Sequence, residues 1–425
     1  MSATSSAISD RAHWSRLFLP FALGYFLSYL LRNANAVMSP VLTRELDLSA
    51  ADLGLLTSAY FFAFGAFQIP LGMLLDRYGP RRVEASLMLF AAAGTLVFAL
   101  GNSIGTLAFG RGLIGLGVSA CLMASLKHFS LWYPIERQSA MTGAIMAAGG
   151  LGAISASVPL EALLPLLGWR GVFLALTAII VAVSAFIYLV VPDRSDTHPP
   201  INMSEQWRGV AHIFANRDFW HFAPLMALFP GGFMAVAGLW IVPWFISVDG
   251  ATRDTAAFNL FAISVTQLAA YFVIALFATQ TIRRGIQPSR FVGAALGISW
   301  LSLIAVIAGV RPALPLWVAY SFCSATATLM YAALGAYFPS ELYGRVSTAL
   351  NLLAFVGAFS LQWGLGILVD VFIAAGFVEA TAFRSAFAIM AILQLLAWLW
   401  FYWGSRGRSP SSAASPVNPP SPSAP

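Results

Sequence analysis

The sequence predicts an all-α integral membrane protein: twelve transmembrane helices arranged as two six-helix repeats. Three observations carry that prediction. First, 59% of the 425 residues are hydrophobic and only 9% are charged, with a mean hydropathy of +0.79. Soluble chains carry roughly 25% charged residues, so no water-facing surface of ordinary composition can be built here. Second, apolar runs of spanning length follow one another along nearly the whole chain. Third, the polar turns between the runs repeat. Pro134 leaves the fourth run as Pro339 leaves the tenth, and Pro80 opens the third as Pro288 opens the ninth, at offsets of 205 and 208 residues.

In order, the spans are placed at 17–40, 52–75, 83–101, 104–131, 138–162, 169–191, 219–247, 256–280, 290–310, 312–338, 346–369 and 383–403. Each alternates with a short turn rich in Gly, Pro or Arg. Pro20, Pro70, Pro159, Pro224, Pro230 and Pro243 are expected to kink or break the spans that contain them, most of all at Phe229-Pro230-Gly231-Gly232. Gly149-Gly150-Leu151-Gly152 lies within the fifth span and suits close helix packing. The segments follow: a polar amino-terminal stretch 1–16, a first six-helix bundle 17–191, a central loop 192–218, a second bundle 219–404 and a Ser/Pro/Ala-rich tail 405–425, expected to be disordered. No signal-peptide pattern precedes the first span.

Twenty-two of the 23 basic residues are arginine, Lys127 being the single lysine. With the amino terminus inside, fifteen loop arginines fall on the cytoplasmic side and five (Arg44, Arg170, Arg253, Arg311, Arg384) on the other. That asymmetry satisfies the positive-inside rule and puts both termini in the cytoplasm. The +6 charge therefore orients the chain in a bilayer rather than binding nucleic acid. Cys121 and Cys323 sit in apolar runs, where a thiol behaves as a small hydrophobe, and imply no disulfide framework. No metal motif, phosphate-cradling loop or nucleophile constellation is present, so neither an enzyme nor a cofactor is expected.

Candidate functional residues stand out because charge inside a membrane is costly. Tyr25, Ser28, Tyr29, Arg32 and Asn35 recur at spacings of three and four and form one polar stripe on the first span. Arg32 lies 15 residues beyond Leu17, about 22 Å along a helix, too deep to snorkel. At roughly 2.5 kcal/mol or more for a charge at the membrane centre, it must face a cavity or a partner. Of the acids, Glu161 alone falls within a span, and Asp76, Glu84 and Asp370 are placed at helix margins, so a cavity that receives an anion is preferred over permanent neutralisation. Lys127 either lines the cavity or snorkels to the cytoplasmic interface, and His128 is a candidate for a coupling proton. Arg111 lies near the middle of the fourth span, where it either bonds neighbouring helix carbonyls or acts in conformational change. The second half offers neutral groups: Ser321, Ser324, Thr328 and Tyr331 on the tenth span, Asn351 and Gln362 on the eleventh, Asn259, Gln267 and Tyr271 on the eighth. With Gln68 of the second span they suit recognition of hydroxyl or carboxylate groups, or simply join helices.

Gly72-Met73-Leu74-Leu75-Asp76-Arg77-Tyr78-Gly79-Pro80-Arg81-Arg82 resembles the signature loop between the second and third spans of the major facilitator superfamily. Arg111 with Gly115 and Gly117, and Gly168-Trp169-Arg170 leading to Phe173, extend the resemblance. It implies the major facilitator fold, a latch role for Asp76, Arg77, Arg81 and Arg82, and a part for Arg111 in coupling. The corresponding second-half turn, Thr281-Ile282-Arg283-Arg284-Gly285, lacks the acid, so any latch is asymmetric. Around Tyr29-Leu30-Leu31-Arg32-Asn33 the chain resembles the anion:cation symporter and organophosphate antiporter branches, in which a first-span arginine binds the substrate anion. Leu31 and Val118 stand where the symporter branch has acids, and no arginine lies between Phe219 and Ile246, where the antiporter branch has one. The resemblance therefore implies a singly charged organic anion, such as a monocarboxylate, moved by alternating access.

The expected function is secondary active transport of that anion, with proton coupling, by a monomer in the cytoplasmic membrane. Candidate substrate contacts are Arg32, Tyr29, Tyr25, Asn35, Gln68, Lys127, Gln267, Tyr331, Asn351 and Gln362, and candidate gating or coupling residues are Asp76, Arg77, Arg81, Arg82, Arg111 and His128. Two alternatives stay open: an exporter of amphiphilic compounds, on the 14% aromatic content, and a transporter-like membrane sensor.

Overall fold

The computed structural model describes residues 14–193, 211, 213–283, 288–335, 337–338 and 343–404, and among them the regular structure is helical throughout. After a π turn at Trp14–Phe18, α1 is Leu19–Leu46. The stretch Ala50–Leu100 is α2 (50–78) and α3 (80–100), joined at Gly79. Next come α4, Ile104–Trp132, and α5, Ile135–Ser155, which resumes over 158–167. α6 covers 169–190, α7 Arg217–Ser247 and α8 Arg253–Arg283. The last four are α9, Pro288–Ile307; α10, from Ala313 to Gly335; α11, Tyr343–Ala374; and α12, Glu379–Gly404. Most of the central loop, the tail 405–425, Arg284 and Gly285 of the second basic turn, and Pro339, Ser340 and Glu341 of the tenth-span exit lie outside the described residues.

Among the described residues, ten helices are long and apolar enough on their own to cross a membrane. The other two traversals have visible reasons for falling short: α1 carries the polar stripe, and α5 is interrupted around Ala156 and Ser157. Phe62, Leu100, Leu166, Leu189, Leu276 and Trp403 are exposed, as befits side chains whose solvent is lipid.

Local chemistry explains where the chain turns. Gly79 and Gly168 have φ of 77° and 64°, a region that costs other residues because Cβ crowds the carbonyl. At these two glycines the chain leaves one helix and enters the next. Ser49 caps the start of α2 in a reciprocal box with Asp52, and Ser103 does the same for α4 with Thr106. Two helices break internally without proline. α4 breaks at Ser119–Ala120, and α10 passes through a 3₁₀ turn at Ala325–Thr328. Their starts are 206 residues apart, in the register of the sequence repeat. Gln68 Nε2 donates to the Ser119 carbonyl at 3.4 Å, serving one backbone group at the first break. The expected interruption of α7 is present at Phe229, followed by a π turn at Val236–Trp240.

The halves meet along three seams: α1 on α7, α2 on α11, and α5 on α8. At one face of the bundle, the Asp370 face, the seams are fastened by polar contacts. Asp370 of α11 accepts from the Ala50 and Ala51 N–H groups at the start of α2, at 3.0 and 2.7 Å. Arg253 of α8 pairs with Glu161, just before α6, at 2.9 Å. At the opposite, Asp76 face, the ion pairs among the described residues stay within the first half.

Candidate functional site

Arg32 stands about 20 Å from either end of α1, at 1.5 Å per residue. The stripe that places it also places Tyr29 one turn earlier, and the guanidinium lies over that ring, 4.5 Å from its centroid. Three more rings surround it: Phe64 at 5.3 Å, Phe355 at 5.6 Å and Tyr60 at 5.9 Å. Tyr60 and Phe64 come from α2 and Phe355 from α11, so the cage spans both halves, and Phe64 and Phe355 stack at 4.3 Å. Ring faces attract a cation by about 0.5–2 kcal/mol without cancelling its charge. Among the described residues no carboxylate lies within ion-pair distance of Arg32, and its buried Nε has no hydrogen-bond partner. Glu161, the acid weighed as its neutraliser, is committed to Arg253. The result is a half-buried positive charge held in place by aromatic faces.

Neutral donors and acceptors face it from the second half. Tyr271 of α8 lies within electrostatic reach of Arg32 and Tyr29, and Tyr331 of α10 within reach of Tyr29 and Tyr271. Gln267 Nε2 donates to the Tyr271 hydroxyl at 2.9 Å while its Oε1 accepts from Ser321 Oγ at 2.9 Å. The Tyr331 hydroxyl donates to Asn351 Oδ1 at 3.0 Å. Gln362 is fully buried, and both its amide atoms lack partners. Its Oε1 and the Arg32 carbonyl flank Gly238 of α7 at similar distances, 3.7 and 3.8 Å from where a Cβ would stand. Tyr25 completes the group from α1, stacking edge-on with Tyr29 at 5.0 Å and donating to Met146 Sδ at 3.6 Å. Arg32, Tyr25, Tyr29, Gln267, Tyr331 and Asn351 thus form one neighbourhood, while Gln362, eleven residues beyond Asn351 on α11, stands apart beside the Arg32 backbone.

The other candidate residues sit elsewhere. Asn35 is buried between α1 and α2 with its amide on Thr57 Oγ1 at 3.0 Å, and Gln68 bonds the α4 break, so both act as helix-to-helix ties. Lys127 pairs with Asp76 at the α2–α3 turn, which places its ammonium at the Asp76 end of the bundle and away from the Arg32 group. Arg81 and Arg82 hold Asp193 at 3.0 and 2.9 Å, and Arg77 lies over the Tyr78 ring. Around this network the Asp76 face has a hollow of about 400 Å³ lined by Asp76, Arg82, Lys127 and Asp193. Arg111 is fully buried and donates to the Leu31 carbonyl at 2.9 Å, one residue before Arg32, with Tyr60 under its guanidinium. His128 is buried against Phe21, ring centroids 4.6 Å apart.

Sequence reasoning missed the cage rings Tyr60, Phe64 and Phe355, and Asp193 as the acid of the arginine pair. It also placed Glu84 at a helix margin, whereas the structure buries it completely inside the first bundle. The rings follow spacings of four on α2, but aromatic residues are so common here that the pattern carried no signal.

The probable sulfoacetate transporter SauU of Cupriavidus necator is 25% identical over 183 residues, 43% of each chain. The probable L-galactonate transporter of Escherichia coli is 27% identical over 204 residues, 48% of this chain and 45% of that one, and the hexuronate transporter of the same organism 33% over 134 residues, 32% and 31%. These matches span less than half the length of each relative. Among solved structures, a bacterial homolog of the human lysosomal transporter Spinster superposes with a TM-score of 0.77 at 17% identity, covering 93% of this chain and 97% of that one. A D-xylose–proton symporter gives 0.69 at 16% identity, with 90% and 96% covered. The family model described as the Major Facilitator Superfamily matches residues 21–361, a stretch that contains Asp76, Arg32, Gln267, Tyr271, Tyr331 and Asn351. With that match added to twelve helices in two repeated sets, the chain belongs to the major facilitator superfamily.

Proposed function

We propose that the protein is a secondary transporter that moves a small, hydroxyl-bearing organic anion across a bacterial cytoplasmic membrane by alternating access, in symport with a proton. The observation that carries this reading is Arg32: a mid-membrane cation fixed by four rings, with no acid beside it among the described residues and neutral hydrogen-bonding groups opposite. A guanidinium so placed offers paired N–H donors to a carboxylate or sulfonate. Tyr271, Gln267, Tyr331 and Asn351 supply hydroxyl-reading contacts further along the molecule. One arginine suits one anionic group, the pattern of galactonate and hexuronates, which join a single carboxylate to several hydroxyls.

The Asp370 face, with its cross-half contacts, is assigned to the outside, and the Asp76 face, with its basic turns, to the cytoplasm. Carrying the anion inward alone works against an inside-negative potential by about 2.3 kcal/mol per charge per 100 mV. Symport with a proton removes that opposition.

The test is thermal stability of the purified protein against galacturonate, galactonate, tartrate, sulfoacetate, phosphate esters and cationic drugs, for wild type and Arg32→Ala. Stabilisation by one anion class in wild type and none in Arg32→Ala is expected. Stabilisation by cations, or an anion response that survives in Arg32→Ala, would overturn the reading.

A further inference from the structure

Glu84 sits in the second turn of α3 with a side chain 0% exposed, and neither carboxylate oxygen completes a hydrogen bond of ordinary geometry. Its surroundings are known on every side. α1 passes over it at Gly24, where a side-chain methyl would overlap Glu84 Oε1 and stand 3.6 Å from Met88 Sδ. α4 approaches with the buried thiol of Cys121, which lies within electrostatic reach of both Glu84 and Arg32. Two turns further along α4 is His128, packed on Phe21. α6 contributes Ser184, donating to the Ala85 carbonyl at 2.7 Å, and Tyr188, which faces Arg81. On α3 itself Arg81, one turn earlier, is engaged by Asp193 and the Val191 carbonyl. No cation is in contact with Glu84 among the described residues.

A carboxyl group shut away from water without a counter-charge, with the Cys121 thiol as its hydrogen-bonding neighbour, is held as the neutral acid, because one weak donor does not replace the hydration the anion would lose. The lid over it is the helix that carries the binding arginine. Gly24 and Arg32 are eight residues apart on α1, about 12 Å of one rigid rod. Anything that shifts α1 when an anion docks on Arg32 also shifts the glycine that covers Glu84.

Resting on the anion-symporter reading above, we propose that Glu84 is the residue that binds the coupled proton. While α1 lies over it the O–H bond is kept. When α1 moves as the anion on Arg32 is carried to the cytoplasmic side, water reaches the carboxyl from that side, the O–H bond breaks and the proton leaves to the cytoplasm with the anion. A proton taken from outside water before the next anion docks restores the O–H bond. No electrons change hands, and the cycle carries one proton per carboxyl.

The experiment uses full-length protein in liposomes with labelled galacturonate and sulfoacetate as probes, comparing wild type, Glu84→Gln and Glu84→Asp. A one-unit pH step drives about tenfold accumulation per coupled proton in wild type. Glu84→Gln is expected to exchange labelled for unlabelled anion across the bilayer yet accumulate none above equilibration, and Glu84→Asp to recover pH-driven uptake. Accumulation by Glu84→Gln equal to wild type overturns the proposal. A second readout needs no flux: infrared difference spectra of the lipid-embedded protein across a pH step. A protonated-carboxyl band that is lost as pH rises, is absent in Glu84→Gln and shifts in Glu84→Asp is expected. A Glu84 carboxyl that stays protonated, or stays ionised, at every pH tested overturns it. If wild type moves neither anion, the transporter reading fails by itself, and the infrared result still decides whether Glu84 takes up and gives up a proton.

Discussion

At the scale of single residues, the proposed site divides its work between a charge and a set of hydroxyl readers, and the two should separate in binding measurements. Arg32→Lys keeps the charge but loses the flat fork and its stacking on Tyr29, so affinity for galacturonate is expected to fall about tenfold. Unchanged affinity by calorimetry would mean that the site reads charge alone. Tyr331→Phe removes one hydroxyl and strips Asn351 Oδ1 of its donor. A lost hydrogen bond is worth about 1 kcal/mol, so galacturonate should bind about fivefold more weakly while sulfoacetate, which has no hydroxyls, should bind as before. Equal loss for both anions would move Tyr331 from a reader of hydroxyls to a general wall of the site. The stripe Tyr25, Tyr29, Arg32 was legible in the sequence because helical spacing is local information. Its surroundings were not: Phe64 and Phe355 arrive from two other helices, and Asn35, on the same stripe, turns instead to Thr57.

At the scale of elements, the turns are made by backbone conformation as much as by polarity. Gly79→Ala forces a side chain into φ of 77° and should cost about 1–2 kcal/mol, read as a lower melting temperature in detergent. An unchanged melting temperature would show that the α2–α3 turn relaxes freely. Hydropathy made the count of twelve helices legible, since each apolar run is bounded by a turn. The interior breaks were only partly legible. Pro230 announced the one in α7, but nothing in Val118-Ser119-Ala120-Cys121 marks the break in α4, which depends on tertiary contacts such as the Gln68 amide. Glu84 shows the same limit from the other side. By position it lies five residues into its helix, and only the packing of α1 at Gly24 turns that margin into an interior.

At the scale of the whole molecule, the seam between α2 and α11 holds the Asp370 face together. Asp370→Asn weakens two charge-assisted hydrogen bonds to the start of α2. A cysteine placed at the buried Leu53, in a background with Cys121 and Cys323 changed to serine, should then react with a membrane-impermeant thiol reagent about tenfold faster than with Asp370 intact. Equal rates would show that the aromatic and apolar contacts hold this face without the carboxylate.

The repeat was legible from two proline offsets, and the structure adds a third correspondence in the paired breaks of α4 and α10. Those breaks have a mechanical meaning. An unbroken helix resists bending because every turn is cross-braced by hydrogen bonds, whereas a segment that has already given up part of its bracing flexes at little further cost. Each half therefore carries a compliant joint in register with the other, and the tips of α4 and α10, the latter carrying Tyr331, can swing as levers while the rod bearing Arg32 keeps its shape.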